Sequence, residues 1–222
     1  MGVPEQRVKF EGFCPGESPE VEAERFYRTL DRRRSIRHFS TRPVSEEVIR
    51  WVVAAASTAP SGAHKQPWRF VAVRDTVVKR KLRLAAEAEE REFYARRANP
   101  EWLSDLAYLG TDASKPFIED APWVIVVFKM MKTDPDAQGR QGQVYYANES
   151  VGIACGFLLA AIHHAGLVTL THTPSPMGFL SELLGRPDHE RAFIVLPVGY
   201  AAEGCTVPNL ERKPLSDVLV VV

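Results

Sequence analysis

Apolar positions recur along this chain in two rhythms, one helical and one of short unbroken runs. Between residues 45 and 56, Val48, Ile49, Val52, Val53 and Ala56 return at helical spacing. Ser45 stands before them as an N-cap, Glu46 and Glu47 suit the positive end of the helix dipole, and Val44 with Ile49 fits a hydrophobic staple. Residues 20–32, with Val21, Phe26, Tyr27 and Leu30, predict another helix. The segment Trp68–Val73 is short, aromatic and β-branched, and reads as a strand. The run Trp123, Val124, Ile125, Val126, Val127, Phe128 has no polar position, as expected of a strand covered on both faces. Two further buried strands are expected at 167–171 and 193–198, with a helix at 179–184 between them. Residues 132–143 read as a polar loop, and the segment Thr58, Ala59, Pro60, Ser61, Gly62, Ala63, His64 is a loop by composition.

Other stretches are less self-contained. A helix over 76–96 carries Leu82, Leu84, Ala85 and Ala88 early and mostly charge later, so its second half is expected as an exposed flap. The helix at 148–165 is apolar nearly all round and rich in small residues (Gly152, Ala154, Cys155, Gly156, Ala160, Ala161). A helix without a polar face is covered on every side, and in a chain of 222 residues a second subunit is the expected cover. The tail at 215–222 is strand-like and needs a sheet edge to join. Residues 1–19, with Pro4, Pro15, Pro19 and three glycines, have too few apolar positions to pack alone and are expected as an irregular arm. Residues 20–222 then form one domain. Strands too dispersed for regular βαβ alternation make the expected class α+β, a mixed sheet flanked by helices.

The chain is long enough to bury roughly 70% of its unfolded surface, so it needs no disulfide or metal staple. Lys and Arg together number 28, as do Asp and Glu, and a net charge of zero argues against nucleic acid as a partner. Three cysteines, Cys14, Cys155 and Cys205, match no zinc spacing and suit a reducing, cytoplasmic setting. The first twenty residues have no apolar core segment and no stretch approaches about 18 consecutive apolar residues, so neither export nor membrane spanning is expected.

Dinucleotide-binding, Walker, zinc-protease and nucleophile-elbow signatures are absent. His163 and His164 are adjacent, so on a helix they point apart and no metal site is expected. The densest basic cluster is Arg32, Arg33, Arg34, Ser35, Ile36, Arg37, with His38 and Phe39 following. Forked guanidinium donors beside a serine hydroxyl suit a phosphate ester. They equally suit a solvated helix end. The loop from Pro60 to Ala63 could bring backbone N–H groups to a planar ligand, or simply turn.

In this order, Arg33-Arg34-Ser35-Ile36-Arg37-x-Phe39, Ala59-Pro60-Ser61-Gly62-Ala63-His64-x-Gln66-Pro67-Trp68, the small-residue helix, Leu184-Gly185-Arg186-Pro187 and Leu196-Pro197-Val198-Gly199-Tyr200 resemble the FMN-dependent nitroreductase family. Within it, the chain is similar to the iodotyrosine deiodinase branch. That resemblance implies a domain-swapped homodimer with FMN at the subunit interface. Arg33, Arg34, Ser35, Ile36 and Arg37 would hold the phosphate and ribityl chain, joined by Arg212. Pro60, Ser61 and Gly62 would lie against the flavin ring, and Thr171, His172 and Thr173 on its other side. Thr173 would donate to flavin N5 and favour two single-electron steps over hydride transfer, the one catalytic role assigned.

A lid at about 85–117 separates the deiodinase branch from other nitroreductases. Glu90 and Tyr94 are four apart, hence on one helical face, and Lys115 follows. By the resemblance, Glu90 would take the ammonium of a halotyrosine and Lys115 with Tyr94 its carboxylate, while the Ala63 N–H holds the phenol oxygen. Taken alone, the three residues read rather as an exposed, salt-bridged helix. Ala113 stands where relatives often carry an aromatic residue, which should weaken the lid's apolar closure. The implied reaction is reductive dehalogenation of 3-halotyrosines, with a reduced pyridine nucleotide or a separate reductase as electron source. The alternatives are a broad-specificity nitroreductase or quinone reductase using FMN, and a flavin-binding protein without catalysis.

Overall fold

The computed structural model describes residues 8–222. It falls into two units, up to Arg33 and from Arg34 onward. The first holds helix α1, Pro19–Asp31, started by Ser18, whose hydroxyl accepts from the Val21 N–H at 3.4 Å. No residue of α1 is buried, and Phe26 and Tyr27 are exposed. Of the expected arm at 1–19, residues 1–7 lie outside the described residues, and 8–17 are irregular and exposed.

The second unit is built on a five-stranded sheet. β1 is Phe39–Ser40, β2 Trp68–Val73, β3 Trp123–Met130, β4 Val168–Thr169 and β5 Glu190–Ala201. The order runs β1-β5-β3-β2, with β4 also on β5. All four ladders are antiparallel. The mixed character expected of the sheet resides in one isolated parallel bridge, Ser35 to Thr169.

β3 explains why the sheet forms a platform. Val124, Ile125, Val126, Val127 and Phe128 are all at 0% exposure, and successive strand residues point to opposite faces. Trp123, Ile125 and Val127 join a core with helices α2 (Glu46–Ser57) and α6 (Ala147–His164). Val124, Val126 and Phe128 join a second core with Leu82 and Ala86 of α3 (Thr76–Glu92), Phe117 and Ile118 of α5 (Phe117–Asp120), and Leu180 of α7 (Gly178–Leu183). The Trp123 indole N–H donates to the Val44 carbonyl at 2.8 Å, fixing the entry to α2.

Several expectations change. α3 ends at Glu92 and gives way to a π-helical turn, Phe93–Arg97, in which the Ala98 N–H reaches the Phe93 carbonyl at 2.9 Å. Its second half is not simply an exposed flap, since Ala86 and Glu87 are buried. The strand expected at 167–171 is two residues long, while the one at 193–198 extends at both ends. The tail at 215–222 forms no strand; Leu215–Asp217 make a turn and Val218 to Val222 are exposed. An apolar run becomes a strand only where it pairs with an edge, and the tail pairs with no strand of its own chain. A helix the apolar pattern did not announce, α4 at Pro100–Ala107, follows the π turn.

One glycine of the sheet is fixed by close approach. A Cβ on Gly199 in β5 would lie 2.5 Å from Pro122 Cδ and 3.3 Å from Phe39 Cδ1. Gly199→Ala is expected to lower stability by about 2 kcal/mol, read as a lower denaturant midpoint; an unchanged midpoint would show that the Pro122 ring gives way.

Candidate active site

The cavity of interest is about 250 Å³ and is walled by the lid on one side and by the segment after β4 on the other. Its lining includes Glu90, Phe93, Tyr94, Trp102, Lys115, Arg37 and Thr171 to Thr173. The expected lid triad is therefore assembled, and it meets part of the expected cofactor set.

The lid charges pair with each other. The Lys115 ammonium is 3.1 Å from Glu90 Oε2, with side-chain exposures of only 3% and 13%. It also donates to the Asp112 carbonyl and, at 3.3 Å, to Thr111 Oγ1. The Tyr94 ring centroid lies 5.7 Å from the ammonium, a cation–π contact. The Tyr94 hydroxyl donates to the Thr111 carbonyl at 3.2 Å. Burial pushes the Tyr94 phenol up; the bond to Thr111 works against this, and the carboxylates of Glu90 and Asp112 add to it. The tyrosine stays protonated at neutral pH and acts as a donor. The π turn is what swings Phe93 edge-on to Trp102 of α4, ring centroids 4.7 Å apart, so that α4 closes the apolar wall. π turns inside helices concentrate at functional sites.

The arginine segment is sewn to the sheet by main-chain bonds. The Ile36 N–H donates to the Thr169 carbonyl at 3.1 Å, beside the Ser35–Thr169 bridge. This places Arg37 next to Thr171, His172 and Thr173. Arg37 is half-buried, and burial holds its guanidinium below the usual range, opposed by Tyr94. It borders a second cavity of about 310 Å³ that includes Ser35, His38, Tyr108, Leu109 and Pro208. The Arg34 guanidinium donates to the Pro208 carbonyl. Ile36 is buried and contributes its backbone. Arg33 ends the first unit, its N–H on the Leu30 carbonyl at 3.0 Å.

His172 is held against β5, its N–H and carbonyl each bonded to Val195 at 2.9 Å. Its ring packs edge-on to Phe117, and its buried Nε2 has no hydrogen-bond partner. Burial, aided by the Lys115 ammonium, pushes the imidazole down to about 3. The ring is thus neutral at physiological pH, with one unmet polar atom beside the cavity.

The loop at 60–64 lines neither cavity. It is pinned against the start of α6: the Gly62 N–H donates to Ser150 Oγ at 3.3 Å, and a Cβ on Gly62 would sit 2.7 Å from the Tyr145 carbonyl oxygen. Ala63, His64 and Gln66 all have positive φ (49°, 53° and 47°). Such strain costs about 1 kcal/mol or more per residue and collects at binding loops. Pro60 and Ala63 are exposed, Ser61 and Gly62 half-exposed. Arg212 is exposed and also stands outside both cavities. Within one chain, then, Arg37 and Thr171–Thr173 converge with the lid, and Pro60–Ala63 and Arg212 do not.

Sequence reasoning missed Thr111, Asp112, Trp102 and Glu87. The signal for α4 was present: Asn99 caps it, its Oδ1 accepting from the Trp102 N–H at 2.8 Å, and Pro100 fills the first helical turn. Glu87 accepts from the Lys115 N–H at 2.8 Å and from Arg83 Nε at 2.9 Å. Burial pushes its carboxyl up, but these donors prevail and the net shift is downward.

The donor set fits a phosphorylated aromatic cofactor, with guanidinium and hydroxyl groups at one end and paired threonines beside an unmet imidazole nitrogen at the other. A pH test follows from His172. Its folded value of about 3 lies below the ordinary 6.5, so the unfolded chain takes up a proton that the folded chain refuses as pH falls through 6.5. Relative to pH 7, this costs about 2 kcal/mol of stability at pH 5. His172→Gln is expected to flatten the fall in denaturant midpoint between pH 7 and 5; equal slopes in the two proteins would show the ring charging freely.

A family model described as the nitroreductase family matches residues 30–200. The iodotyrosine deiodinase of Haliscomenobacter hydrossis is 57% identical over 210 residues, covering 94% of this chain and 93% of the relative. Human iodotyrosine deiodinase 1 is 44% identical over 223 residues, covering 98% of this chain and 77% of the relative. Among solved structures, an oxidized iodotyrosine deiodinase bound to FMN and 3-iodo-L-tyrosine superposes with a TM-score of 0.74 at 29% identity, covering 89% of this chain and 97% of that one. An FMN-bound nitroreductase from Bacteroides fragilis shares the fold, with a TM-score of 0.62 at 20% identity. Matched through its sheet, its arginine segment and its lid alike, the chain belongs to the nitroreductase family.

Proposed function

We propose that this chain is an FMN-dependent oxidoreductase of the iodotyrosine deiodinase type, which replaces the ring halogen of a 3-halotyrosine by hydrogen. The observation that carries the reading is the Lys115–Glu90–Tyr94 constellation, a buried cation with a half-buried anion and phenol lining one cavity. An α-amino acid presents the complementary pair of charges. Its ammonium takes Glu90, and its carboxylate takes Lys115 and the Tyr94 hydroxyl. Two electrons and one proton convert the carbon–halogen bond to carbon–hydrogen and release halide. FMN, when bound, supplies those electrons, which side chains of the chain itself cannot.

Arg34, Ser35, Ile36 and Arg37 supply the phosphate end of the cofactor site, with Thr171, His172 and Thr173 along the ring. The family resemblance adds Arg33 and Arg212, and Pro60, Ser61 and Gly62 on the opposite ring face. Thr173, which lines the cavity, would offer its hydroxyl to the reducible end of a bound flavin. The Ala63 N–H holds the phenol oxygen and favours its ionised form. Closure of Phe93, Tyr94 and Trp102 over the ligand excludes water and strengthens every charge contact inside. Ala113 leaves that closure without the aromatic side chain that relatives often have there.

The working form we infer is a homodimer. Support comes from the separation of Pro60–Ala63 from the lid cavity, which suits a site completed by a second copy. It comes also from Ile153 and Phe157 on α6, each 43% exposed, and from the unpaired tail. Among the described residues no helix is long and apolar enough to cross a membrane. Unpaired Cys14, Cys155 and Cys205 support a reducing compartment, the cytoplasm. A reduced pyridine nucleotide or a separate reductase serves as the electron source.

Reduced, FMN-loaded protein is expected to release iodide and tyrosine one to one from 3-iodotyrosine. Lys115→Ala strips one partner from a buried charge pair, and kcat/KM for iodotyrosine should fall about a hundredfold. Reduction of nitroaromatics with no iodide release would instead establish a general nitroreductase, and protein that takes up no FMN would end both readings.

A further inference from the structure

Lys115 is gripped at two places by one helix. Its ammonium meets Glu90, and its backbone N–H meets Glu87 Oε1 at 2.8 Å. Glu87 and Glu90 are three apart on α3, hence on one helical face. The two contacts differ in what a ligand does to them. On the proposed reading, the incoming ammonium replaces Lys115 at Glu90, and the ion pair that oriented the lysine is gone. The amide contact to Glu87 carries no ligand and persists.

Glu87 is itself immobilised. It is 8% exposed, and Arg83 Nε holds the same Oε1 at 2.9 Å while Arg83 Nη1 reaches Glu119 Oε2 at 3.2 Å. Glu119 lies on α5, four residues after Lys115. Arg83 therefore ties together the residue that holds the Lys115 backbone and the helix that continues from it. Arg91 stands further off, 4.0 Å from Glu87 Oε2. None of these groups lines the ligand cavity.

We propose that Glu87 is a positioning residue for ligand binding: it anchors the Lys115 backbone to α3, so that the lysine stays aimed at the ligand carboxylate once Glu90 has been surrendered to the ligand ammonium. This rests on the halotyrosine reading above. A neutral acceptor could hold the N–H, but the Glu87 carboxylate also shares Arg83 with Glu119, so its charge takes part in the helix–loop–helix link.

The test uses FMN-loaded protein and two probes, 3-iodotyrosine and 2-iodophenol, which share the halophenol ring while only the first has the zwitterion. Affinities are read from quenching of flavin fluorescence. In Glu87→Ala the ratio of iodotyrosine to iodophenol affinity is expected to fall about tenfold, the effect of an orphaned buried donor. Glu87→Gln, which keeps an oxygen for the N–H, should recover part of that ratio. An unchanged ratio in both variants overturns the proposal, as does equal weakening of both probes, which signifies general damage. If Glu87→Ala fails to retain FMN, a fall of about threefold in the Glu87→Gln ratio supports the proposal and no fall overturns it. Wild-type protein that binds the two probes alike would sink the zwitterion reading itself, whereas wild-type discrimination that survives in the variants sinks only the role of Glu87.

Discussion

An ammonium removed from water governs the lid. The Lys115 side chain is 3% exposed, and an ion so placed carries a desolvation penalty of several kcal/mol unless oxygen and opposite charge surround it. The groups that surround it come from three pieces of the lid. Glu90 belongs to α3, Tyr94 to the π turn, and Thr111 and Asp112 to the loop after α4. Each piece has few apolar anchors of its own, yet the demand of one charge fixes them in a single arrangement. The cavity is what remains inside it.

The opposite wall is held by different physics. Ser35 and Ile36 reach Thr169, and His172 reaches Val195, all through main-chain groups. Behind them stands β3, buried on both faces. Main-chain bonds to a fully covered sheet open only with the core, whereas ionic contacts between loop and helix end open locally. The molecule thus puts its candidate cofactor groups on the rigid side and its candidate ligand clamp on the side able to move. That division suits a cofactor that stays and a ligand that turns over.

Much of this was legible in the sequence, for identifiable reasons. Trp68–Val73 and the run from Trp123 are strands because β-branched and aromatic residues in unbroken order leave little alternative, and α2 announces its own cap and staple. The lid was legible only in its three charged or phenolic residues. Its architecture was not, because a π turn shifts the helical phase after Glu92 and the 3.6-residue period no longer applies. Glu87 and Lys79 escaped notice because a carboxylate and an ammonium inside a charged helix look solvated, and only partners distant in sequence reveal otherwise. Lys79 is buried by donating to the carbonyls of Glu119 and Ala121. The tail misled for the converse reason. Its composition is that of a strand, but strand formation needs pairing with an edge, and within one chain the tail pairs with none.

The pairing of Lys115 with Glu90 also bears on selectivity. A ligand bearing only a carboxylate would draw the lysine away and leave the half-buried Glu90 without a cation. One bearing only an ammonium would strand Lys115 in the same way. Either outcome leaves an uncompensated charge of the kind that costs about 3–5 kcal/mol when buried. A zwitterion substitutes one ion pair by two and leaves neither group bare. On the proposed reading, discrimination against a singly charged ligand lies less in the bonds the right ligand makes than in the bare charge the wrong one leaves behind.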